Sequence, residues 1–212
     1  IPSFKQVGPE VEPSIVYSIA RQESAFNPAV VSPAQAYGPM QVTPDAGRYV
    51  CKRAGISFDL NRMKTDSVYN AMLGAAELGG LLEDYRGSYI LTFAGYNAGR
   101  GSVRKWIERY GDPRDPKVDA VDWVEQIPFS ETRNYVQRIM ENLQVYRTRF
   151  ENDARLTIDA DLRRDTRRDL RQDAAAHPQG KAAAGGVLVH EVAVLVGEHR
   201  LELALGHAVE EP

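Results

Sequence analysis

The sequence predicts an all-α domain over residues 1–150, followed by a poorly ordered or irregular C-terminal extension over residues 151–212. Apolar residues recur at spacings of three and four in several segments of the first part, which is the period of one helix face. These segments begin at Ser, Thr, Asp or Pro and end at Gly or Pro, as helices do. Strand signals are absent from the same region.

The first helix is predicted from about Val11 to Phe26. Pro28 cannot continue it, and the residue before a proline is pushed out of the α region. Its apolar face carries residues at helical spacing, namely Ile15, Val16, Ile19 and Ala20. The residue one turn further along this face is Glu23.

Two more helices follow a loop. Thr43 is expected to cap a short helix, with Pro44 in its first turn and Gly55 as its C-terminal stop. A loop then leads to Asp66, within an N-terminal signal for a long helix. The narrow apolar stripe of that helix comprises Ala71, Ala75, Leu78, Leu82 and Tyr85. Gly74, Gly79 and Gly80 weaken this helix but let a neighbouring helix come close.

The remaining helices are shorter, except the last. An apolar helix runs from Ser88 to Gly99, and Ser102 is expected to cap the next one, which ends at Gly111. Residues 118–126 predict a short helix that Pro128 breaks. Ser130 and Glu131 begin the last long helix, whose stripe comprises Thr132, Val136, Ile139, Leu143, Tyr146 and Phe150. Nothing in the sequence after Phe150 gives an obvious means of joining this core.

Glu23 is the first candidate for chemistry. It lies on the apolar face and in the last helical turn, where the helix dipole presents its negative end. Burial and the dipole both disfavour the charged carboxylate, so a raised pKa is expected. A carboxyl that is protonated near neutral pH can act as a general acid. The helical pattern alone, however, favours an ordinary solvated surface glutamate.

Composition excludes several classes of protein. The 212 residues are 43% hydrophobic and 26% charged, with a formal net charge of −3 that predicts no nucleic-acid partner. No run approaches the ~18 apolar residues of a membrane span. Cys51 is the single cysteine and the first histidine is His177, so residues 1–150 hold no Cys-His or Ser-His nucleophile pair. No metal site or cofactor is predicted. The absence of an initiator Met and a signal peptide predicts a mature form or a piece of a longer protein.

Three sequence motifs resemble one known family. Glu23-Ser-Ala-Phe26 is followed by Ser32-Pro-Ala-Gln-Ala-Tyr-Gly-Pro-Met-Gln41, and later by Tyr96-Asn-Ala-Gly99. The soluble lytic transglycosylases, goose-lysozyme-like enzymes that cut peptidoglycan, have the pattern Glu-Ser-x-Phe, Ser-Pro-x-Gly/Ala-Ala-x-Gly-Leu-Met-Gln and Tyr-Asn-Ala-Gly. Pro39 stands where the family usually has Leu. The resemblance covers the chain to about Phe150 and implies a lysozyme-like helical fold.

The resemblance also implies a mechanism. Glu23 would protonate the oxygen of the β-1,4 bond between N-acetylmuramic acid and N-acetylglucosamine. As a carboxylate it would then take a proton from the muramic acid 6-hydroxyl, which closes on the anomeric carbon and leaves a 1,6-anhydro end. Tyr96 is expected to donate a hydrogen bond that orients Glu23. Without the motif, Tyr96 would be read as an ordinary core tyrosine.

Five further residues match the family's substrate-binding positions. Asn97 belongs to the third motif, and Glu131 lies in Ile-Pro-Phe-Ser-Glu-Thr-Arg-Asn-Tyr-Val, which resembles the signature whose acid lines the substrate groove. Gly38 and Gln41 match Gly-x-Met-Gln, with Gln41 expected to bond an acetamido group. Ser32 is either near the lactyl or acetamido group or simply a turn residue before Pro33. These two readings are equally supported by the sequence.

Two departures and several aromatic residues affect substrate fit. Pro39 removes a backbone N–H beside the groove, and Thr43 stands where the family often has Met. Aromatic residues that could stack on sugars, but are more often core residues, are Phe26, Tyr37, Trp106 and Trp123.

Two alternatives to a lytic transglycosylase remain. A goose-type lysozyme is a hydrolase on the same fold and needs a carboxylate that activates water. A catalytically silent peptidoglycan-binding or envelope-assembly module would keep the fold without turnover, but Glu23, Tyr96 and Asn97 argue against it. The resemblance implies a monomer in the bacterial periplasm that acts on glycan strands. Outer-membrane association of the full-length protein and partners in an envelope or secretion complex are further expectations.

The last part of the chain differs in character. Residues 153–173 interleave Arg and Asp, which predicts a solvated helix or a disordered tether. Residues 174–186 form a small-residue linker, and residues 187–205 predict either a β-hairpin or an amphipathic helix. The four histidines, His177, His190, His199 and His207, are read as incidental.

Overall fold

The computed structural model describes residues 3–151 and 155–165. Within these ranges the only β pairing is at the isolated bridges Val31–Tyr37 and Tyr37–Val42, so the predicted all-α class is confirmed. The helices in chain order are α1 (Pro13–Ser24), α2 (Pro44–Ala54), α3 (Leu60–Thr65), α4 (Ser67–Asp84), α5 (Tyr89–Ala98), α6 (Arg100–Tyr110), α7 (Ala120–Glu125), α8 (Ser130–Glu151) and α9 (Ile158–Leu162).

Most helix boundaries follow the sequence signals. Thr43 caps α2 by accepting a hydrogen bond from the Ala46 N–H at 3.2 Å, and α2 ends at Gly55 in the left-handed conformation (φ 67°). Asp66 caps α4 by accepting from the N–H groups of Val68 and Tyr69. The predictions therefore hold where a side chain satisfies an otherwise unpaired backbone N–H.

Two departures from the sequence prediction concern how a helix begins. α3 was predicted as a loop, but Asp59 caps it through the Arg62 N–H at 3.0 Å, so this short helix forms on a local capping signal. α6 begins at Arg100, two residues before the predicted cap at Ser102. Gly99 (φ 81°, ψ 154°) turns the chain sharply enough that its own carbonyl accepts the first bonds of α6.

Helix α5 lies at the centre of the packing. Every residue from Tyr89 to Gly95 is buried, and the helix contacts α4, α6, α8 and α9. Helix α1 packs most extensively on α8, and its predicted apolar face of Ile15, Val16, Ile19 and Ala20 is buried. Burying such side chains contributes ~1.5–3 kcal/mol each. The catalytic candidate on α1 is therefore carried by a helix that α8 holds along its length.

A glycine of α4 allows the loop before α2 to sit close to the core. A Cβ at Gly74 would lie 2.5 Å from Cβ of Met40, which is fully buried. The sequence predicted that a neighbouring helix would come close here, but the loop of residues 30–42, hereafter the Met40 loop, makes the approach at Gly74.

Part of the predicted tether packs against the helical domain. The Asp161 carboxylate, which is 5% exposed, accepts hydrogen bonds from Arg147 at 2.6 Å and Gln144 at 2.7 Å. Ile158 and Leu162 pack on the hydrophobic core. The reading of this stretch as a solvated helix or disordered tether is therefore wrong for residues 155–165. A charged side chain that meets its partner on another helix leaves no periodic signal in the sequence.

A chain that ends at residue 150 is expected to lose about 2–4 kcal/mol of unfolding free energy relative to a chain that ends at residue 165. The shorter chain lacks Asp161, so Arg147 loses a buried partner, and the apolar contacts of Ile158 and Leu162 disappear. Denaturant unfolding of both chains measures the difference. Equal midpoints and slopes would show that residues 155–165 do not stabilise the domain.

The remaining residues lie outside the described ranges. They include residues 152–154 and 166–212, and with them the expected linker, the segment 187–205 and the four histidines. The contacts divide the chain into the units Ile1–Gln172 and Asp173–Pro212, and the described residues belong to the first unit. The assignment of residues 151–212 as an extension of separate role stays a prediction. Within the described ranges, none of the helices has the length and apolar character to cross a membrane.

Candidate active site

Glu23 lies in the last turn of α1, as the sequence predicted. The helix ends at two consecutive residues in the left-handed region, Ala25 (φ 50°) and Phe26 (φ 66°). The N–H groups of Ala25 and Phe26 donate to the carbonyls of Arg21 and Ala20, which closes the helix end. Left-handed residues other than glycine are unfavourable by about 1–2 kcal/mol each, and such strain often occurs at functional sites.

The Met40 loop is tied to the end of α1 and to α4. The Ser24 hydroxyl donates to the Pro39 carbonyl at 2.9 Å. On the other side, the Asn70 side chain accepts from the Met40 N–H at 3.0 Å and donates to the Tyr37 carbonyl at 2.8 Å. Gly38 (φ 72°) is required here, because a Cβ would lie 2.8 Å from the Asn70 amide. These contacts hold the loop next to the helix that carries Glu23.

The Glu23 carboxylate is bound by a tyrosine from α8. The Tyr135 hydroxyl donates to Glu23 Oε1 at 2.5 Å, which is a short, charge-assisted hydrogen bond. Tyr135 is 5% exposed and lies 112 residues further along the chain. Burial and the Glu23 charge raise the pKa of Tyr135 well above its usual value, so the tyrosine is a protonated donor at neutral pH. The tyrosine therefore orients the carboxyl group and stabilises its ionised form.

Burial raises the pKa of Glu23 to about 7. The hydrogen bond from Tyr135 opposes this rise, and the negative charge of Glu131 adds to it. The raised pKa expected from the sequence is therefore confirmed in direction. Near neutral pH both the acid and the base form are populated, so one carboxyl can serve in both roles.

Tyr96 does not make the hydrogen bond that was expected of it. Its hydroxyl donates to the carbonyl of Met40 at 2.8 Å, and Tyr135 occupies the donor position on Glu23. Burial and the charges of Glu23 and Glu77 raise the pKa of Tyr96 well above its usual value, so its hydroxyl is protonated at neutral pH. Tyr96 thus holds the Met40 loop beside Glu23.

Asn97 and Glu131 lie at the contact between the end of α5 and the start of α8. The Thr132 hydroxyl donates to Asn97 Oδ1 at 2.6 Å, so the asparagine is oriented by the first turn of α8. Glu131 precedes this threonine and is exposed. Residues Glu131 and Tyr135 are four apart and share a helix face, so both approach Glu23 from the same side. The structure thus brings Asn97 and Glu131 to the same site as Glu23, and their contact with substrate stays a prediction.

The side chains of Ser32 and Gln41 support the Met40 loop. The Ser32 hydroxyl accepts from the Ala36 N–H at 3.1 Å, which is a turn contact. Gln41 is left-handed (φ 47°), and its amide nitrogen donates to the carbonyls of Val30 and Gly38. The substrate roles expected for Ser32, Gly38 and Gln41 stay predictions.

The departures from the family pattern are accommodated within this loop. Pro39 is buried and its carbonyl serves as the acceptor for Ser24, so the missing N–H is not needed by the contacts described above. Gln35 is a further departure, because the pattern has Gly or Ala at its position, and it adopts a left-handed φ of 59°. Its Oε1 accepts from the Tyr37 hydroxyl at 2.5 Å. Trp106 and Trp123 are buried, as core residues are.

Sequence reasoning missed two residues that hold this site. Tyr135 stands in the string that contains Glu131, and its spacing of four from Glu131 is the signal that could have found it. Asn70 is a buried polar residue in the apolar stripe region of α4, and a polar residue there requires hydrogen-bond partners. Neither residue type points to a particular partner, because those partners lie on other elements.

A cavity of about 320 Å³ lies elsewhere in the described part of the chain, between the N-terminal segment, α2 and α4. None of the predicted site residues lines it. Among residues 3–151 and 155–165, no group of three or more His, Cys, Asp or Glu side chains is arranged to hold a metal ion. The candidate active site is therefore the region around Glu23.

The buried carboxyl of Glu23 is expected to destabilise the folded protein as pH rises. Its pKa is 4.5 in the unfolded chain and about 7 in the folded protein. The free energy of unfolding therefore falls as the pH rises from 4.5 to 7, because the folded state must then ionise a buried carboxyl. Glu23→Gln removes this effect, so the variant should gain up to about 3 kcal/mol relative to wild type at pH 8. The gain should be small at pH 4.

Denaturant unfolding of wild type and Glu23→Gln at pH 4, 6 and 8 tests this expectation. A stability difference that does not grow with pH would show that the folded protein does not hold Glu23 with a raised pKa.

The helical fold and the site geometry agree with one protein family. Residues 3–118 match the family described as "Transglycosylase SLT domain", and residues 126–154 match the "Soluble lytic transglycosylase helical domain". The chain belongs to the transglycosylase SLT family, so the resemblance in the sequence motifs is confirmed.

Particular relatives are similar to this chain over the same region. The soluble lytic murein transglycosylase of Escherichia coli K12 is 37% identical over 141 residues, which are 66% of this chain and 21% of the relative. The crystal structure of the 70 kDa soluble lytic transglycosylase of Escherichia coli superposes with a TM-score of 0.63 at 36% identity, covering 69% of this chain and 23% of that protein.

A third relative is the lytic transglycosylase Slt of Pseudomonas aeruginosa, crystallised as an inactive mutant in which glutamine replaces a glutamate. It has a TM-score of 0.61 at 33% identity. The chain spans about a fifth of the length of the soluble lytic murein transglycosylase it matches.

Proposed function

We propose that this chain is the catalytic domain of a peptidoglycan lytic transglycosylase that uses Glu23 as acid and then as base. The observation that carries the proposal is the partly buried Glu23 carboxyl, which is bonded to Tyr135 at 2.5 Å and whose pKa desolvation raises to about 7. The soluble relatives are named for action on murein, which supports the same substrate class.

The proposed reaction has two proton transfers and consumes no water. Protonated Glu23 gives its proton to the glycosidic oxygen as the bond to the muramic acid anomeric carbon breaks. The resulting carboxylate takes the proton of the 6-hydroxyl while that oxygen bonds to the anomeric carbon. The products are a 1,6-anhydromuramic acid end and a free 4-hydroxyl on N-acetylglucosamine. Glu23 ends in its protonated state, ready for the next bond.

The surrounding residues have separate tasks in this scheme. Tyr135 stabilises the Glu23 carboxylate after the first transfer, because a hydrogen bond to the ionised form favours it. Tyr96 and Ser24 hold the Met40 loop through carbonyl acceptors. Asn97, Gln41, Ser32 and Glu131 are proposed to contact the sugars, with Gly38 giving the loop its conformation.

A hydrolase is the alternative that one observation favours. Glu131 has a charge that acts on Glu23, and a second carboxylate near the acid is what a water-activating mechanism needs. Its exposure leaves it free to bind sugar hydroxyls instead. We propose a periplasmic location for the enzyme, because peptidoglycan is found there. We also propose that the enzyme is a monomer.

Mass spectrometry of digested peptidoglycan tests these functions. Incubation of isolated peptidoglycan with the protein should release muropeptides with 1,6-anhydromuramic acid ends, which are 18 Da lighter than hydrolysis products because no water is added. Reducing ends would identify a lysozyme-like hydrolase and overturn the proposal. No soluble products from the intact chain would indicate a binding module.

A further inference from the structure

We propose that Arg100, held by Glu77 and Asp84, is a positioning residue that fixes Tyr96 and Asn97 for the reaction. This inference rests on the proposed function and adds a group of residues that does not touch Glu23. Arg100 directly follows the Tyr96-Asn-Ala-Gly99 motif and is the first residue of α6. It therefore lies at the joint between the helix that carries the motif and the next helix.

Two carboxylates of α4 hold the Arg100 guanidinium. Its Nη1 donates to Glu77 Oε1 at 2.5 Å, and its Nε donates to Asp84 Oδ2 at 2.8 Å. Glu77 and Asp84 are seven residues apart, which is two helical turns, so both face the same side of α4. The Tyr49 ring of α2 lies 5.2 Å from the guanidinium carbon, within the range of a cation–π contact. We call Arg100, Glu77 and Asp84 the joint clamp.

The clamp acts on a joint that backbone hydrogen bonds hold but that side chains do not pack against. Gly99 has a left-handed φ of 81°, and a Cβ there would meet no atom within 4 Å. Packing therefore does not restrict this glycine. Tyr96 and Asn97 lie in the last turn of α5, where the final carbonyls lack helical partners and fraying begins. Arg100 is the second residue after the end of α5. A salt bridge that fixes Arg100 therefore restricts the motion of the Tyr96 and Asn97 side chains.

The charge of the clamp acts on Tyr96. The negative charge of Glu77, like that of Glu23, is among the causes that raise the pKa of Tyr96. Tyr96 in turn donates to the Met40 carbonyl, and Asn97 accepts from Thr132 at the start of α8. A shift at Arg100 would therefore reach both the Met40 loop and the helix that carries Tyr135.

The clamp is poorly suited to a purely stabilising role. Glu77 Oε2 and Arg100 Nη2 are both buried and have no hydrogen-bond partner in the described part of the protein. An ion pair that leaves a donor and an acceptor unpaired adds little net stability. Buried polar atoms without hydrogen-bond partners are expected where a residue serves function.

The test compares Arg100→Gln and Glu77→Gln with wild type and with Arg53→Gln. Arg53 is a matched control, because it also faces α4, at 3.3 Å from Glu83 and 4.0 Å from Asp84, and it lies near the same Tyr49 ring. It does not touch the α5–α6 joint. Turnover and KM are measured on soluble uncrosslinked glycan strands, with thermal unfolding recorded at the assay pH.

Both clamp variants should lose about 10–100-fold in kcat with KM changed by less than about twofold, because a misplaced group lowers the rate more than it lowers binding. Arg100→Lys should recover part of the loss, since an ammonium can pair with one carboxylate at a time. The Asn97 side-chain amide resonances should shift in the clamp variants. Arg53→Gln should match wild type in all these measurements.

Unchanged kcat in the folded clamp variants would overturn the inference, and so would an equal loss in Arg53→Gln or unmoved Asn97 resonances. If Arg100→Gln does not fold, Asp84→Asn removes one contact of the clamp and should give a smaller loss in the same direction. A folded Asp84→Asn with full kcat would then overturn it. A wild-type chain that releases no anhydro products would instead contradict the proposed function, while the Asn97 resonances would still report on the joint.

Discussion

Glu23→Gln is expected to abolish the release of 1,6-anhydromuropeptides while the protein stays folded. Glutamine has nearly the same shape as glutamic acid and can still accept the Tyr135 hydrogen bond, but it neither gives nor takes the proton that the reaction moves. Loss of a general acid alone lowers the rate by ~10²–10⁴-fold, and here the same group also serves as the base. The measurement is product release from isolated peptidoglycan, quantified by mass spectrometry.

A control variant separates this effect from a general change in surface charge. Glu108→Gln on α6 removes a carboxylate whose side chain is 68% exposed and whose ion pair with Arg104 is long, at 4.0 Å. It should digest peptidoglycan as wild type does. Near-normal turnover by Glu23→Gln would end the proposal that Glu23 is the acid, whatever the control shows.

Tyr135→Phe is expected to lower the rate by ~10–150-fold, because it removes a hydrogen bond to a charged group worth ~1.5–3 kcal/mol. The ring stays in place, so packing of α8 on α1 is retained. In the wild-type protein this hydrogen bond lowers the pKa of Glu23. Its removal should raise that pKa above about 7 and move the basic limb of the pH–rate profile to higher pH.

Tyr96→Phe is the matched comparison for this variant. It removes a hydroxyl from the other tyrosine of the site, but that hydroxyl donates to the Met40 carbonyl and not to Glu23. Its activity should fall because the Met40 loop is held less tightly. The basic limb of its pH–rate profile should lie at the same pH as in wild type. A pH profile that shifts in Tyr96→Phe and not in Tyr135→Phe would reverse the roles we assign to the two tyrosines.

The contrast between these tyrosines shows how far the motifs reach. The pattern around Tyr96 predicts that it belongs to the active site, and in the structure its hydroxyl donates to Met40, in the loop that is tied to the end of α1. The pattern does not determine which atom its hydroxyl meets. A phenol on a helix end can reach any acceptor within a few ångströms, and the choice between Met40 and Glu23 depends on how the Met40 loop sits against α4.

Local signals were sufficient for most of the secondary structure. Thr43 and Asp66 satisfy backbone N–H groups within three residues of themselves, so the start of each helix is encoded next to it. The apolar face of α1 extends to Glu23, and the match of Glu23-Ser-Ala-Phe26 to the family motif favoured a buried acid there over the solvated glutamate that periodicity alone favoured. From these features the sequence by itself determined the all-α class, the position of Glu23 at a helix end and the direction of its pKa shift.

Only the tertiary structure decided the groups that act on Glu23 and the extent of the packed domain. Tyr135 meets Glu23 across 112 residues, and Asp161 meets Arg147 across 14 in a stretch whose composition resembles a tether. Capping and periodicity arise from bonds between near neighbours in the chain. A hydrogen bond between two helices depends instead on their relative position and rotation, which the packing of all the helices sets together and no local pattern records.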